Sequence, residues 1–135
     1  MGKHEAVAVR VRYVPITTKL VSGRVVVKPK EGVDYRIEVT PEMRDAQVVG
    51  SFTAYGGSTN TVSAVVMQES EYTNWVKGQA ADAFYSSDGQ KTADQFAVRL
   101  NPGVYRFGIS NRVSKSAPKF VFLDLDLIYY KAETY

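Results

Sequence analysis

Two aspartates, Asp124 and Asp126, stand two positions apart in a run that otherwise alternates with apolar residues. On an extended strand, residues i and i+2 share a face, so both carboxylates project to one side. Such a pair can take a calcium ion when a loop supplies further oxygen ligands. It can also supply the acid and base of glycoside hydrolysis, which needs carboxyl groups roughly 5–10 Å apart across a cleft. No Asp-x-Asp-x-Asp-Gly loop accompanies the pair. The ordinary reading is an exposed strand face kept soluble by acids that also deter edge pairing. No metal is assigned, and Asp124 and Asp126 are the one candidate for a metal site.

Aromatic chemistry centres on Trp75, the only tryptophan of the chain. With Tyr72 and Tyr85 it offers a platform on which a sugar ring or a peptide could stack. The framework alternative is that Trp75 pins a crossover to the core, because Tyr72, Trp75 and Val76 recur at helical spacing. Asn111 belongs with the framework residues, as its amide can satisfy backbone groups where a strand ends. The stretch Gly56-Gly57-Ser58-Thr59-Asn60 lacks the lysine spacing and following helix of a phosphate cradle. It is a hairpin loop, placed where loops on rigid scaffolds make contacts.

Cationic chemistry gathers at the start. Residues 1–30 hold seven basic groups and a single acid, within a chain of formal net charge +3. If the first two strand-like runs are neighbours, Arg10, Arg12, Arg24 and Lys28 form one patch for anionic lipid, acidic glycan or acidic protein. The bland alternative is a solvated sheet face. No aromatic residue is interleaved on that face, which argues against nucleic acid.

Other chemistries are excluded by composition. There is no cysteine, so disulfides, thiolate zinc sites and a cysteine nucleophile are absent. The single histidine, His4, lies near the start and cannot complete a Ser-His-Asp triad or a multi-histidine metal site alone. No pair of convergent titratable groups suggests an enzyme.

The elements that must position these residues are strands. Period-two alternation runs through Ala6–Val14, Arg24–Lys28, Tyr35–Val39, Val48–Ala54, Val62–Val66, Phe96–Leu100, Tyr105–Ser110 and Phe120–Tyr130. Val7, Val9, Val11 and Tyr13 are expected inward, with Arg10 and Arg12 outward. In the last run, Val121, Leu123, Leu125 and Leu127 share one face, opposite Phe122, Asp124, Asp126 and Ile128. Lys30-Glu31-Gly32, Asp88-Gly89 and Asn101-Pro102-Gly103 are turn signals. Glu69–Lys77 breaks the pattern as a short helical crossover, stopped by Gly78. With 135 residues the chain is one domain, residues 1–135, of the all-β class. The expected architecture is an antiparallel two-sheet β-sandwich, jelly-roll-like, with about eight strands.

The order of motifs resembles the bacterial GOLD-like β-sandwich proteins, similar to the Golgi-dynamics domain of eukaryotic cargo-receptor proteins. The resemblance spans residues 16–131. It rests on Asn74-Trp75-x-x-Gly78, on Pro102-Gly103-x-Tyr105 and on Ser110-Asn111-Arg112. It implies a jelly-roll-like sandwich acting as a binding module rather than an enzyme, with Trp75, Pro102, Gly103, Tyr105 and Asn111 as framework.

The expected function is therefore a noncatalytic binding or structural module mediating protein–protein interaction. Self-association through Phe122, Ile128 and Tyr130 is one version. The alternative is a sandwich binding carbohydrate or an anionic ligand, with calcium assistance. No cofactor is expected. No run of 18 apolar residues exists to span a bilayer. Met1–Val14 lacks the apolar core of a leader peptide, so no compartment is assigned; an exported protein whose leader was removed is one reading.

Overall fold

A computed structural model of the protein describes residues 9–57, 59–112 and 114–135. His4 and the first residues of the Ala6–Val14 run lie outside the described residues, as does Ser58 of the glycine loop. Among the described residues eight strands and one helix follow in chain order: β1 Val11–Val27, β2 Gly32–Val39, β3 Arg44–Tyr55, β4 Ser63–Gln68, α1 Glu69–Val76, β5 Tyr85–Ser86, β6 Ala93–Arg99, β7 Gly103–Ser110 and β8 Lys119–Thr134. Sheet A has the order β1-β8-β3-β6, and sheet B the order β2-β7-β4-β5. Every pairing is antiparallel. The pairs β1/β8, β2/β7, β3/β6 and β4/β5 nest inside one another, which is a long hairpin rolled into two sheets, the jelly roll.

The core follows the alternation. Val48, Phe52 and Ala54 of β3 and Val121, Leu123, Leu125 and Leu127 of β8 are buried against Ile37, Val39, Tyr105, Phe107 and Ile109 of sheet B. Burying each large side chain contributes about 1.5–3 kcal/mol. Phe96 joins the layers, stacked on Phe107 at 5.6 Å and on Tyr85 at 4.1 Å between ring centroids.

Two sequence expectations are corrected at β1. The runs Ala6–Val14 and Arg24–Lys28 are not neighbouring strands, because Val11–Val14 of the first and Arg24–Val27 of the second belong to the single strand β1. The faces are also exchanged at its start. The register with β8 steps from Lys19↔Asp126 to Val21↔Leu125, so Leu20 is an extra residue. Such a bulge reverses the alternation beyond it. Val11 and Tyr13 consequently share the outer side of sheet A and are about half exposed. This end also extends past the sandwich. β3 pairs with β8 only as far as Arg44↔Tyr130, while β1 continues to Val11↔Thr134.

The helix forms where its spacing predicts, closed by Lys77 and by Gly78 at φ +76°. It lies on the outer face of sheet B. Gly108 makes this possible, because a Cβ there would stand 2.4 Å from a ring carbon of Tyr72. Among the described residues no helix is long and apolar enough to cross a membrane.

Candidate functional site

Among the described residues no other element covers the outer face of sheet A, which is arranged in rows set by the strand register. Val26, Phe120 and Tyr55 form the first row, and Arg24, Phe122, Thr53 and Ala93 the second. Ser22, Asp124, Ser51 and Gln95 form the third; Lys19, Asp126, Val49 and Ala97 the fourth. Farther along stand Ile128, then Tyr130 opposite Arg44, then Tyr13.

Aromatic rings mark both ends. Tyr55 stacks on Phe120 at 5.4 Å and on Phe122 at 5.7 Å, and the Arg24 guanidinium lies 5.3 Å over the Phe120 ring. Phe122 is 54% exposed, so much of its ring remains open. At the other end Arg44 lies 4.6 Å over the Tyr13 ring, beside a depression of about 260 Å³ that Tyr130 also lines. Phe120 and Tyr130 are ten residues apart on one strand, a span of about 33 Å. Between the ends, small side chains at Ser51 and Ala97 leave a groove of about 490 Å³, bordered by Gln95, Asp124 and Asp126.

Asp124 and Asp126 share this face as the strand period requires, but their partner is an ammonium group. Lys19 Nζ lies 2.9 Å from Asp126 Oδ1 and 3.6 Å from Asp124 Oδ1. The Ser22 hydroxyl donates to Asp124 at 2.9 Å. The bond with Asp126 is the largest cause holding the Lys19 pKa above its ordinary value. A lysine therefore occupies the place in which a calcium reading needs a cation. Among the described residues no group of three or more His, Cys, Asp or Glu is arranged to hold a metal.

The expected cationic patch does not assemble. Arg12 and Arg24 lie twelve positions apart on one strand, about 40 Å, and on opposite faces because of the Leu20 bulge. Arg12 pairs with Glu133 at 3.1 Å and lies over the Tyr135 ring, while Arg24 lies over Phe120. Arg10 and Lys28 are exposed beyond the two ends of β1.

Tyr72, Trp75 and Tyr85 do not form one platform either. Tyr85 points between the sheets, stacked on Phe96, and its hydroxyl donates to Asp94 at 2.6 Å. Burial, then that bond, pushes the Tyr85 phenol up, and the same bond is the main cause lowering the Asp94 carboxyl. Tyr72 and Trp75 lie outside sheet B, 5.6 Å apart between ring centroids. Burial and the neighbouring Asp34 carboxylate push Tyr72 up to about 12. Arg112 lies 5.3 Å over the Trp75 ring, and its guanidinium donates to the Val76 carbonyl. A groove of about 380 Å³ runs between α1 and the start of β2. Arg106 ties the helix down by bonding Asp34 at 2.9 Å and Glu69 at 2.7 Å.

The loop after β3 is organised by a side chain that sequence reasoning passed over. Lys119 is fully buried and donates to the Gly56 carbonyl at 2.8 Å and the Thr59 hydroxyl at 3.0 Å. Lysine is almost never so buried, and no spacing marks this one. Asn111 is buried as framework, its amide nitrogen within 3.0–3.3 Å of the Val27, Lys28 and Ala117 carbonyls. Tyr55, Phe120, Ser51 and Gln95 were also missed as site residues. Ser51 and Phe120 fall within the strand runs read from the sequence, whereas Tyr55 and Gln95 lie just outside them, and the strand order that joins all four was not legible.

No protein-family model and no curated protein matches the chain. Solved structures with a similar backbone include a CBM4 structure, at 9% identity and TM-score 0.50, covering 94% of this chain and 78% of that one. A pilus protein of Bacillus endospore appendages matches at 11% identity and TM-score 0.44, covering 96% of both chains. A CBM29-2 variant of the family 29 carbohydrate-binding modules matches at 6% identity and TM-score 0.45, covering 87% of this chain and 92% of that one. None of these three carries the GOLD-like name, so that resemblance rests on the sequence motifs. At such identities the likeness concerns the fold, and the fold is an antiparallel β-sandwich.

Proposed function

We propose that the protein is a noncatalytic binding module that takes an extended carbohydrate chain along the outer face of sheet A. The observation that supports this reading is the layout of the face. Exposed rings stand at both ends, with carboxylate, amide and hydroxyl groups over a shallow groove between them. Sugar rings present apolar faces that stack on aromatics, and hydroxyl edges that bond to planar polar side chains. The span of about 33 Å suits an oligosaccharide better than a single sugar. The likeness to the CBM4 structure suggests the same ligand class, and the residues carry the argument.

The test is calorimetric titration with soluble oligosaccharides, cellohexaose and chitohexaose among them. Binding is expected for one class. Phe122→Ala and Tyr55→Ala should each weaken it about threefold to tenfold, the value of one stacked ring. Asp124→Ala should weaken it further. Absence of binding to every oligosaccharide, or binding indifferent to all three variants, overturns the reading.

One observation favours a protein partner instead. Phe122, Ile128 and Tyr130 lie on this same face, and among the described residues nothing pairs with the outer edge of the 17-residue strand β1. A second copy of the chain seated there would make the apparent mass depend on concentration and on Phe122. Sedimentation of the wild type and of Phe122→Ala separates the two readings.

A further inference from the structure

We propose that the groove between α1 and β2, on the opposite side of the molecule, binds a small ring-shaped ligand bearing a carboxylate. The groove has a flat apolar wall and a cationic rim. The wall is Trp75, held at a tilt against Tyr72, whose own ring is seated directly on the Gly108 backbone. The rim is Arg112 and Lys30, both lining the groove. The volume of about 380 Å³ falls at the lower end of the range for small-molecule sites.

The charges around the groove separate into used and unused groups. Arg106 bonds both Asp34 and Glu69, so those carboxylates are already engaged, and the three groups together keep one net negative charge. Among the described residues neither Arg112 nor Lys30 has a carboxylate within ion-pair distance. Glu31 is the remaining acid on the lining, against two cations. Arg112 and Lys30 are thus the cations of the rim left without an ion-pair partner among the described residues, and a guanidinium favours a planar carboxylate that can accept two parallel bonds.

The rim is also held in place. The Arg112 guanidinium is fixed by the Trp75 ring and the Val76 carbonyl, and its backbone N–H donates to the Ser110 hydroxyl at 3.3 Å. Lys30 sits in the left-handed region at φ +64°, and its N–H donates to the Asn111 carbonyl at 3.1 Å. Asn111 in turn donates its N–H to the Glu31 carbonyl at 2.8 Å. Both cations thus project from backbone locked by the buried Asn111, which reduces the ordering cost of binding. Two ligand sources share this chemistry, an acidic sugar and a simple alicyclic acid. The inference does not depend on any ligand at sheet A.

The experiment uses Trp75 as its own reporter, because no other tryptophan contributes to the emission. The protein is titrated with glucuronate, with cyclohexanecarboxylate and with glucose at constant ionic strength. A saturable change with glucuronate alone assigns an acidic sugar. A change with both acids assigns the carboxylate and ring in general. Either supports the proposal if Arg112→Gln weakens binding about tenfold, the value of a charge-assisted bond. Lys30→Asn, which keeps a residue tolerant of positive φ, should weaken it less. Equal response to glucose, no saturable response to either acid, or an unchanged affinity in Arg112→Gln overturns it. Melting temperatures of the variants with and without glucuronate provide a second readout, independent of any change in emission. Phe122→Ala on sheet A should leave the titration unchanged.

Discussion

The outer faces of the two sheets arise from the same alternation and end in different states. On sheet B a helix is laid across the strands, because Gly108 lets Tyr72 approach the backbone and Arg106 fastens both Asp34 and Glu69. What remains open there is a small groove at the helix margin. On sheet A none of the described residues crosses, and the face is a long strip with rings at its ends. An antiparallel sheet needs one buried face, and the second is free to be used. One glycine and one arginine therefore decide that sheet B gives a compact groove and sheet A an extended track.

The largest expected effect tests what the two faces share. Phe96→Ala removes the ring that bridges the layers and should cost about 3–5 kcal/mol in chemical denaturation, damaging both faces together. If one face kept its ligand response at temperatures where the other had lost it, the layers would not be a single cooperative unit.

Gly108→Ala should separate the faces. The added methyl group collides with Tyr72, and overpacking of this kind costs about 1–3 kcal/mol. Trp75 emission should shift toward that of a solvated ring, while oligosaccharide binding at sheet A persists. An unchanged emission spectrum would show that Tyr72 is not what seats the helix.

Acid should act next, and in a known direction. Asp94 is held below its ordinary value first by the Tyr85 hydroxyl, and Glu69 first by Arg106. Their contribution is complete above the ordinary carboxylate value and is lost as pH falls through the depressed one. Melting temperature should therefore decline below about pH 4. Asp94→Asn should remove the part that links β5 to β6, and Glu69→Gln the part that anchors α1. At the alkaline end Tyr72 should ionise near 12 in an absorbance titration, its contribution being lost as pH rises from 10.

The smallest effect belongs to Lys19→Gln. Lys19 is an exposed partner of two exposed or half-exposed acids, so the melting temperature should move by no more than about 2 °C. The same change leaves Asp124 and Asp126 without their cation. A calcium-dependent rise in melting temperature that appears in this variant alone would show that the ammonium excludes the metal.

Much of the sandwich was legible in the residues. Val121, Leu123, Leu125 and Leu127 announce a buried strand face, and Tyr72, Trp75 and Gly78 announce the helix and its end. The site was less legible, for reasons of pairing. Ser22 and Gly23 look like a break, yet the ladder with β8 passes through them to Leu123. The bulge at Leu20 is set by the partner strand, and it alone moves Tyr13 to the face that also carries Arg24. Lys119 reads as a solvated strand start, and its burial depends on a loop more than fifty residues earlier in the chain. Local alternation fixes which side of a strand is apolar; it does not say which strand lies beside it.

The nested pairing has a kinetic consequence. The innermost pair, β4 with β5, closes a loop of about twenty residues, whereas β1 with β8 joins positions roughly ninety or more apart. Chains dominated by such distant contacts fold slowly, on the order of milliseconds to seconds. Closure should begin near β4 and β5 and end with β1 meeting β8, so the track on sheet A is completed last. A ligand on that track would then act on the unfolding rate and leave the folding rate almost unchanged.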